Sequence, residues 1–427
     1  MKSNHIKKDT FFYIVSAGLN KGYLLIIFPT LTSFMSLSDF AIWNLVTILS
    51  FMLAPILSLN GSAGILRLGT LDKSSSLPLL MQFILISIII SILSISICFI
   101  FSLQDWITFS VLYGLFEAIF LLISTFIRTL EKAKYYFLFS CFKFLIILFT
   151  TLYAYLNQLD IYRLLILQII ILFSLIFIIT LFILYKFKSN YTNNDYIRTI
   201  IIFCILLIPH GLAQWILTSA DRITIERIMG MESVGIYSLA YNIAMVLVLL
   251  NTVLSLVIPP YFIKNYEVWK DKQYDALIMK YYTFLSIGIY IFIVFMYILD
   301  KNIFHLLGYY QKELPILITI IYLSIYFLGL YYFYANYLFY HKQGRLLSII
   351  SLKAAFINIM LTILTTYFIG LYGAALSTLI TYIYYVVTIR KDMLRFEPNV
   401  DIPLKYNINI FVIAILTVFI IWSTIYE

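Results

Sequence analysis

Apolar residues run along this chain in long blocks separated by short polar connections. A helix that crosses a bilayer needs about 20 mostly apolar residues at 1.5 Å each. Blocks of that kind fall at roughly 11–35, 40–60, 78–102, 106–128, 136–156, 161–185, 199–220, 234–258, 280–300, 312–338, 346–368 and 371–389, with a thirteenth at 408–424. Backbone groups must be hydrogen-bonded in hydrocarbon, and apolar runs this long satisfy them as helices rather than barrel strands. Pro29, Pro55 and Pro209 fall inside blocks, where kinks are expected.

The polar connections carry the orientation. Every second one is basic: Arg67 and Lys73; Arg128, Lys132 and Lys134; Lys186, Lys188 and Arg198; Lys264, Lys270 and Lys272; Lys342 and Arg345; Arg390, Lys391 and Arg395. The connections between them are poor in cations, as at Ser102–Asp105, Asn157–Asp160 and Gly370–Gly373. This predicts an N-terminus on the cytoplasmic side. Lys2, Lys7 and Lys8 precede a first block too long for a signal h-region of roughly 7–15 residues, so that block reads as a retained span. Arg222 and Arg227 break the pattern, since they follow the seventh block on the outer side.

Composition narrows the class. The chain is 63% apolar and 11% charged, with a mean hydropathy of +0.99, where soluble domains carry about 25% charged residues. Lipid is therefore the solvent for much of the surface. A net charge of +9 sits mainly in short connections and is no nucleic-acid signal. Cys98, Cys141 and Cys204 are far apart in apolar runs and suggest neither disulfides nor a metal site. No phosphate-binding glycine loop, HExxH or carboxylate pair in a loop is present, so no enzyme, cofactor or ATPase is expected.

The chain echoes itself. Asp39–Leu45 opens the second block and Ser233–Leu239 the eighth, with a small residue, Ile, an aromatic and Leu at matching positions. Lys132 and Lys143 have counterparts 210 residues on, in Lys342 and Lys353. A six-span unit repeated in parallel is one way that transporters build two lobes around a site. The expected fold is an all-α integral membrane protein. It has two six-helix lobes, 1–190 and 191–390, around a central cavity, then a polar connection and a thirteenth helix in 391–427.

Ionisable residues within spans cost about 2.5–3.5 kcal/mol at the helix centre and usually face a cavity or the bundle interior. Lys21 lies about 15 Å into the first span, and Glu117 lies near the middle of the fourth. Glu117 is read as a partner for Lys21 or as a coupling site. Lys143 and Lys353 lie roughly 10 Å from the inner ends of their spans, within reach of either a cavity or the headgroups. Asp221 and Arg222 follow the seventh span, and Arg222 with Glu226 makes an i,i+4 pair. Arg67 is a topology charge or a cavity-mouth residue. His210, Gln214, Asn242, Asn358 and Tyr326 are read as helix glue or as contacts to sugar hydroxyls and rings. The ionisable candidates are mostly basic, which favours an anionic substrate.

With Ser219–Arg222, Met229–Gly230, Val234–Tyr241, Gly370–Ala375 and the basic stretch Arg128–Lys134 on the page, the chain resembles the multidrug/oligosaccharidyl-lipid/polysaccharide (MOP) superfamily, and within it the Wzx-like O-antigen and polysaccharide flippases. The resemblance implies alternating access through a cationic cavity that accepts an undecaprenyl-pyrophosphate-linked oligosaccharide. Lys21 resembles the family's first-span cation, Arg222 its seventh-span cation and Lys353 an eleventh-span basic position. It also implies a bacterial inner-membrane location. The bilayer and the lipid-linked substrate are the implied partners, with a polysaccharide polymerase and a chain-length regulator as further candidates. A cation-coupled drug exporter of the same fold is the alternative, and a membrane glycan polymerase a more distant one.

Overall fold

A computed structural model describes residues 2–71, 76–186, 194–271, 274–301 and 311–398. Fourteen helices follow one another among these residues: α1 (Lys2–Phe34), α2 (Leu37–Leu57), α3 (Gly61–Leu71), α4 (Ser76–Ile100), α5 (Asp105–Thr129), α6 (Ala133–Asn157), α7 (Ile161–Lys186), α8 (Asn194–Met229), α9 (Met231–Lys264), α10 (Tyr266–Asp271), α11 (Tyr274–Leu299), α12 (Leu314–Tyr340), α13 (Gly344–Ile369) and α14 (Leu371–Phe396). Twelve of them are long and apolar enough to cross a membrane, and they take up the first twelve apolar blocks. The protein is a multi-pass membrane protein. The thirteenth block, 408–424, lies outside the described residues.

Two features differ from the sequence reading. Short helices α3 and α10 sit in connections that the hydropathy pattern leaves as loops. The seventh span does not end at 220, because α8 continues through Asp221, Arg222, Glu226 and Arg227 to Met229. Arg222 and Arg227 therefore sit within a helix rather than in an outer loop.

Helix ends are set by local chemistry. Ser36 caps α2, accepting a hydrogen bond from the Asp39 amide at 3.1 Å and donating its hydroxyl to the Asp39 carboxylate at 2.8 Å. Pro29, Pro55 and Pro209 lie inside α1, α2 and α8. The turn from α13 to α14 runs through Gly370 at φ 68°, a left-handed backbone that any Cβ disfavours.

The chain divides into two compact units. Unit 1 holds α1 up to Tyr23 and Phe34–Trp215; unit 2 holds Leu24–Ser33 and the chain from Ile216. In unit 1, α5 is the central helix, packed by α2, α3, α4, α6 and α7. In unit 2 that place belongs to α12, packed by α9, α11, α13 and α14. Each is the fourth span of its half. Each also ends in the same turn, with Glu131 and Lys342 at φ 58° and 57°. The amides of Leu130, Glu131 and Lys132 donate to Phe126, Arg128 and Ile127; those of His341, Lys342 and Gln343 donate to Tyr337, Phe339 and Leu338.

Unit 2 is held by tyrosines. Along the α11–α12 contact, Tyr290 bonds Thr319 at 2.6 Å, Tyr322 donates to the Ser286 carbonyl at 2.6 Å, Tyr326 bonds Thr283 at 2.9 Å and Tyr337 donates to Asp275. Gly329 lets this contact close. A Cβ there would meet the Tyr282 hydroxyl and Asn251 Oδ1. Tyr282 cannot give way freely, since its hydroxyl donates to Asn251 Oδ1 at 2.9 Å and approaches the Tyr326 carbonyl at 3.2 Å. Gly329→Ala is expected to destabilise the protein by about 1–3 kcal/mol, the usual cost of overpacking. A thermal melt of the detergent-solubilised protein at the parent's midpoint would show that the contact has slack.

Candidate functional site

Two buried charged clusters stand out, one in each unit. In unit 1, α5 brings Glu117 and α6 brings Lys143 to the same depth. Lys143 Nζ donates to both Glu117 oxygens, at 2.6 and 2.8 Å, and the side chains are only 3% and 5% exposed. Aromatic rings surround the ammonium: Phe120 at 4.5 Å from its centroid, Phe116 at 5.5 Å and Tyr23 at 6.0 Å. Nearby, the Tyr113 hydroxyl donates to Gln168 Oε1 and Gln168 Nε2 approaches Thr151 at 3.4 Å, tying α5, α7 and α6 together. This cluster is net neutral and closely packed. Its geometry is that of a buried ion pair in which one ammonium meets both carboxylate oxygens.

In unit 2, α8 and α9 build the second cluster. Arg222 and Asp221 are buried, 2% and 3% exposed. The guanidinium lies over the Tyr241 ring at 4.0 Å and within 5.8 Å of the Tyr237 ring. Arg222 Nη1 approaches Asp221 Oδ1 at 3.5 Å and the Thr218 carbonyl at 3.4 Å, while the Tyr237 hydroxyl donates to Asp221 Oδ2 at 2.6 Å. Among the described residues, Arg222 Nε has no hydrogen-bond partner. Burying such a donor costs about 1–3 kcal/mol, so the guanidinium is held with bonding capacity in reserve. The i,i+4 partner expected for Arg222 is occupied elsewhere: Glu226 pairs with Arg227, at 3.3 Å.

The other candidate residues scatter. Lys21 lies on α1 and His210 on α8; their side chains are outside the described residues. Glu117 takes Lys143 as its partner. Lys353 is exposed on α13, on a face shared with Leu352, Phe356 and Met360. An ammonium on an apolar exposed stripe is placed for reaching headgroups with its stem along hydrocarbon. Arg67 lies on α3, not at the end of α2, and its guanidinium covers the Phe203 ring at 4.5 Å. Tyr326 is fully buried, stacked on Tyr282 with ring centroids 5.3 Å apart. Its hydroxyl bonds Thr283 and joins α12 to α11. Asn358 reaches Thr381 at 3.5 Å and joins α13 to α14. Asn242 is buried and Gln214 half-buried.

The contrast between Lys143 and Lys353 has a simple cause. Ala133 and Gly344 open α6 and α13 after equivalent turns, and their separation is one residue longer than that of the two lysines. One residue is about 100° around a helix. Lys143 therefore matches the buried Ala354, and Lys353 matches Phe142, which is 52% exposed.

The sequence reading missed Tyr237 and Tyr241, which convert the Asp221–Arg222 pair into a buried site. They recur at i,i+4 on α9, one helical turn apart, and that spacing is the signal available in the sequence.

Comparison with known proteins gives one family and one fold. The polysaccharide biosynthesis protein family matches residues 6–266. None of the curated proteins matches. Among solved structures, the chain is similar to the MATE multidrug transporter DinF-BH (14% identity, TM-score 0.66, covering 93% of this chain and 96% of that one). It is also similar to the lipid II flippase MurJ in its inward closed conformation (15%, 0.63, 97% and 93%), and to an outward-facing multidrug resistance MATE family transporter of the MOP superfamily (12%, 0.61, 92% and 96%). At these identities the likeness establishes an all-α transporter fold.

Proposed function

The chain belongs to the polysaccharide biosynthesis protein family, and from that premise we propose that it is a flippase. Its substrate is an undecaprenyl-pyrophosphate-linked oligosaccharide, an O-antigen, capsule or exopolysaccharide repeat unit, carried across a bacterial inner membrane by alternating access. The N-terminus is cytoplasmic, and a polysaccharide polymerase and chain-length regulator act on the released unit.

The observation that carries this reading is Arg222, a buried guanidinium with an aromatic floor and an unpartnered Nε. Asp221 neutralises it at rest, which makes the charge tolerable in an apolar bundle. A diphosphate competes well for it. One unit charge pair at 4 Å gains about 4 kcal/mol at an effective dielectric of about 20, and a second negative charge on the same ligand adds a comparable amount. The planar fork also suits phosphate oxygens bidentately. Lys21 is a second candidate cation for the substrate, on α1. Glu117–Lys143 belongs to the framework, with coupling through Glu117 the role it takes under the alternative below. Arg67 and Lys353 serve the headgroup region.

A cation-coupled drug exporter is the second reading, favoured by the buried carboxylates of Glu117 and Asp221. Proteoliposomes separate the two. A fluorescent polyprenyl-diphosphate oligosaccharide is expected to become protected from a membrane-impermeant quencher only when the protein is present, and an organic cation dye is not expected to accumulate. Dye accumulation with no movement of the glycolipid, abolished by Asp221→Asn, overturns the flippase reading.

A further inference from the structure

Unit 1 has a groove that the proposed path leaves unused. It lies where the end of α5 meets α6 and α7, and encloses about 380 Å³, within the roughly 300–1,000 Å³ of small-molecule sites. Its walls are apolar and open outward: Phe142 is 52% exposed and Phe182 49%, and Ile179 lines the same groove. At one end stand two exposed lysines, Lys132 and Lys186. Lys186 Nζ rests 5.3 Å from the ring centroids of both Tyr135 and Phe182. Among the described residues neither lysine has a carboxylate partner, and no acidic side chain lines the groove. Lys132 also precedes the first turn of α6, which carries no acidic residue and whose amides put partial positive charge at the same end.

We propose that this groove binds an anionic phospholipid. The phosphate sits between Lys132 and Lys186, and an acyl chain runs along Ile179, Phe142 and Phe182. Charge complementarity selects this occupant. A partner helix would have to bury two unpaired ammonium groups, whose lost hydration no carboxylate offsets. A glycan would find only the Tyr135 hydroxyl and the two lysines for its own hydroxyls. Both lysines belong to the basic set of connections, so the lipid comes from the leaflet on that side, where basic pockets between spans meet anionic headgroups.

The test is native mass spectrometry of the full-length protein with phosphatidylglycerol and with phosphatidylcholine. Parent protein is expected to retain phosphatidylglycerol in preference. Lys132→Gln/Lys186→Gln is expected to lower its apparent affinity about thirtyfold, from the attraction typical of two lysines at an anionic surface. Lys132→Arg/Lys186→Arg, which keeps the charge, and Lys342→Gln/Lys391→Gln, which removes two exposed lysines of unit 2, are expected to retain it. Equal retention of both lipids by the parent overturns the proposal. So does undiminished phosphatidylglycerol binding by the glutamine pair, or equal loss in the unit 2 control.

Discussion

Arg222→Ala is expected to lower the rate of glycolipid translocation by about 10- to 100-fold, the equivalent of one lost charge-assisted hydrogen-bonding group. The substitution removes the one guanidinium that α8 buries over Tyr241. It also strands Asp221, which among the described residues would then hold a buried charge supported only by the Tyr237 hydroxyl and the backbone amide of residue 222. A fall in activity from the alanine variant alone would therefore mix two causes. Asp221→Asn/Arg222→Gln separates them. Neutral on both sides, it is expected to recover the expression level and thermal midpoint of the parent while translocation stays low. Arg222→Lys is expected to recover translocation only in part, since an ammonium neither stacks flat on Tyr241 nor forks onto two phosphate oxygens. The checks are the quencher-protection assay in proteoliposomes and display of surface glycan in a cell that depends on this protein. Full translocation by the neutral double variant would reduce Arg222 to a structural role.

The second large effect is on stability. Lys143→Met is expected to destabilise the protein by about 3–5 kcal/mol, because it leaves Glu117 buried among Phe116, Phe120 and Tyr23 without its partner. Glu117→Gln acts in the same direction by stranding the ammonium. Glu117→Gln/Lys143→Met is expected to be markedly more stable than either single variant, since replacing a buried pair as a unit is often neutral or favourable. Thermal melting of the three solubilised variants closes this cycle. Additive losses would mean that the two side chains do not act as a pair. If the double variant also translocates glycolipid, the pair is framework; if it is stable but inactive, Glu117 has a coupling role beyond packing.

Much of this fold was legible in the pattern of apolar residues, because burial in lipid demands length and little else. Leu314–Tyr340 and Asp105–Thr129 were recognisable as spans from hydropathy alone. Their central places were not, since packing rank depends on the partners each helix meets. The end of α8 was misread for a related reason. Asp221, Arg222, Glu226 and Arg227 look like a solvated connection until Tyr237 and Tyr241, supplied by the next helix, make burial of the first two tolerable. Helix α3 escaped notice because eleven residues cannot span a bilayer, and with it went the placement of Arg67. Both members of the buried pair in unit 1 were identified as out of place in a membrane. Their pairing crosses from the middle of α5 to α6, a relation fixed by interhelical registry that no local spacing encodes.

The one-residue phase difference between α6 and α13 has a consequence for how alike the halves are chemically. Two scaffolds with the same order of helices have been given different kinds of contact around their central helix: α5 meets its neighbour through an ammonium and a carboxylate, α12 mainly through phenol hydroxyls. A hybrid made from two copies of the first half would carry two ion pairs between a fourth and a fifth span, and one made from two copies of the second would carry none at that place. The halves are thus not interchangeable modules, however similar their outlines.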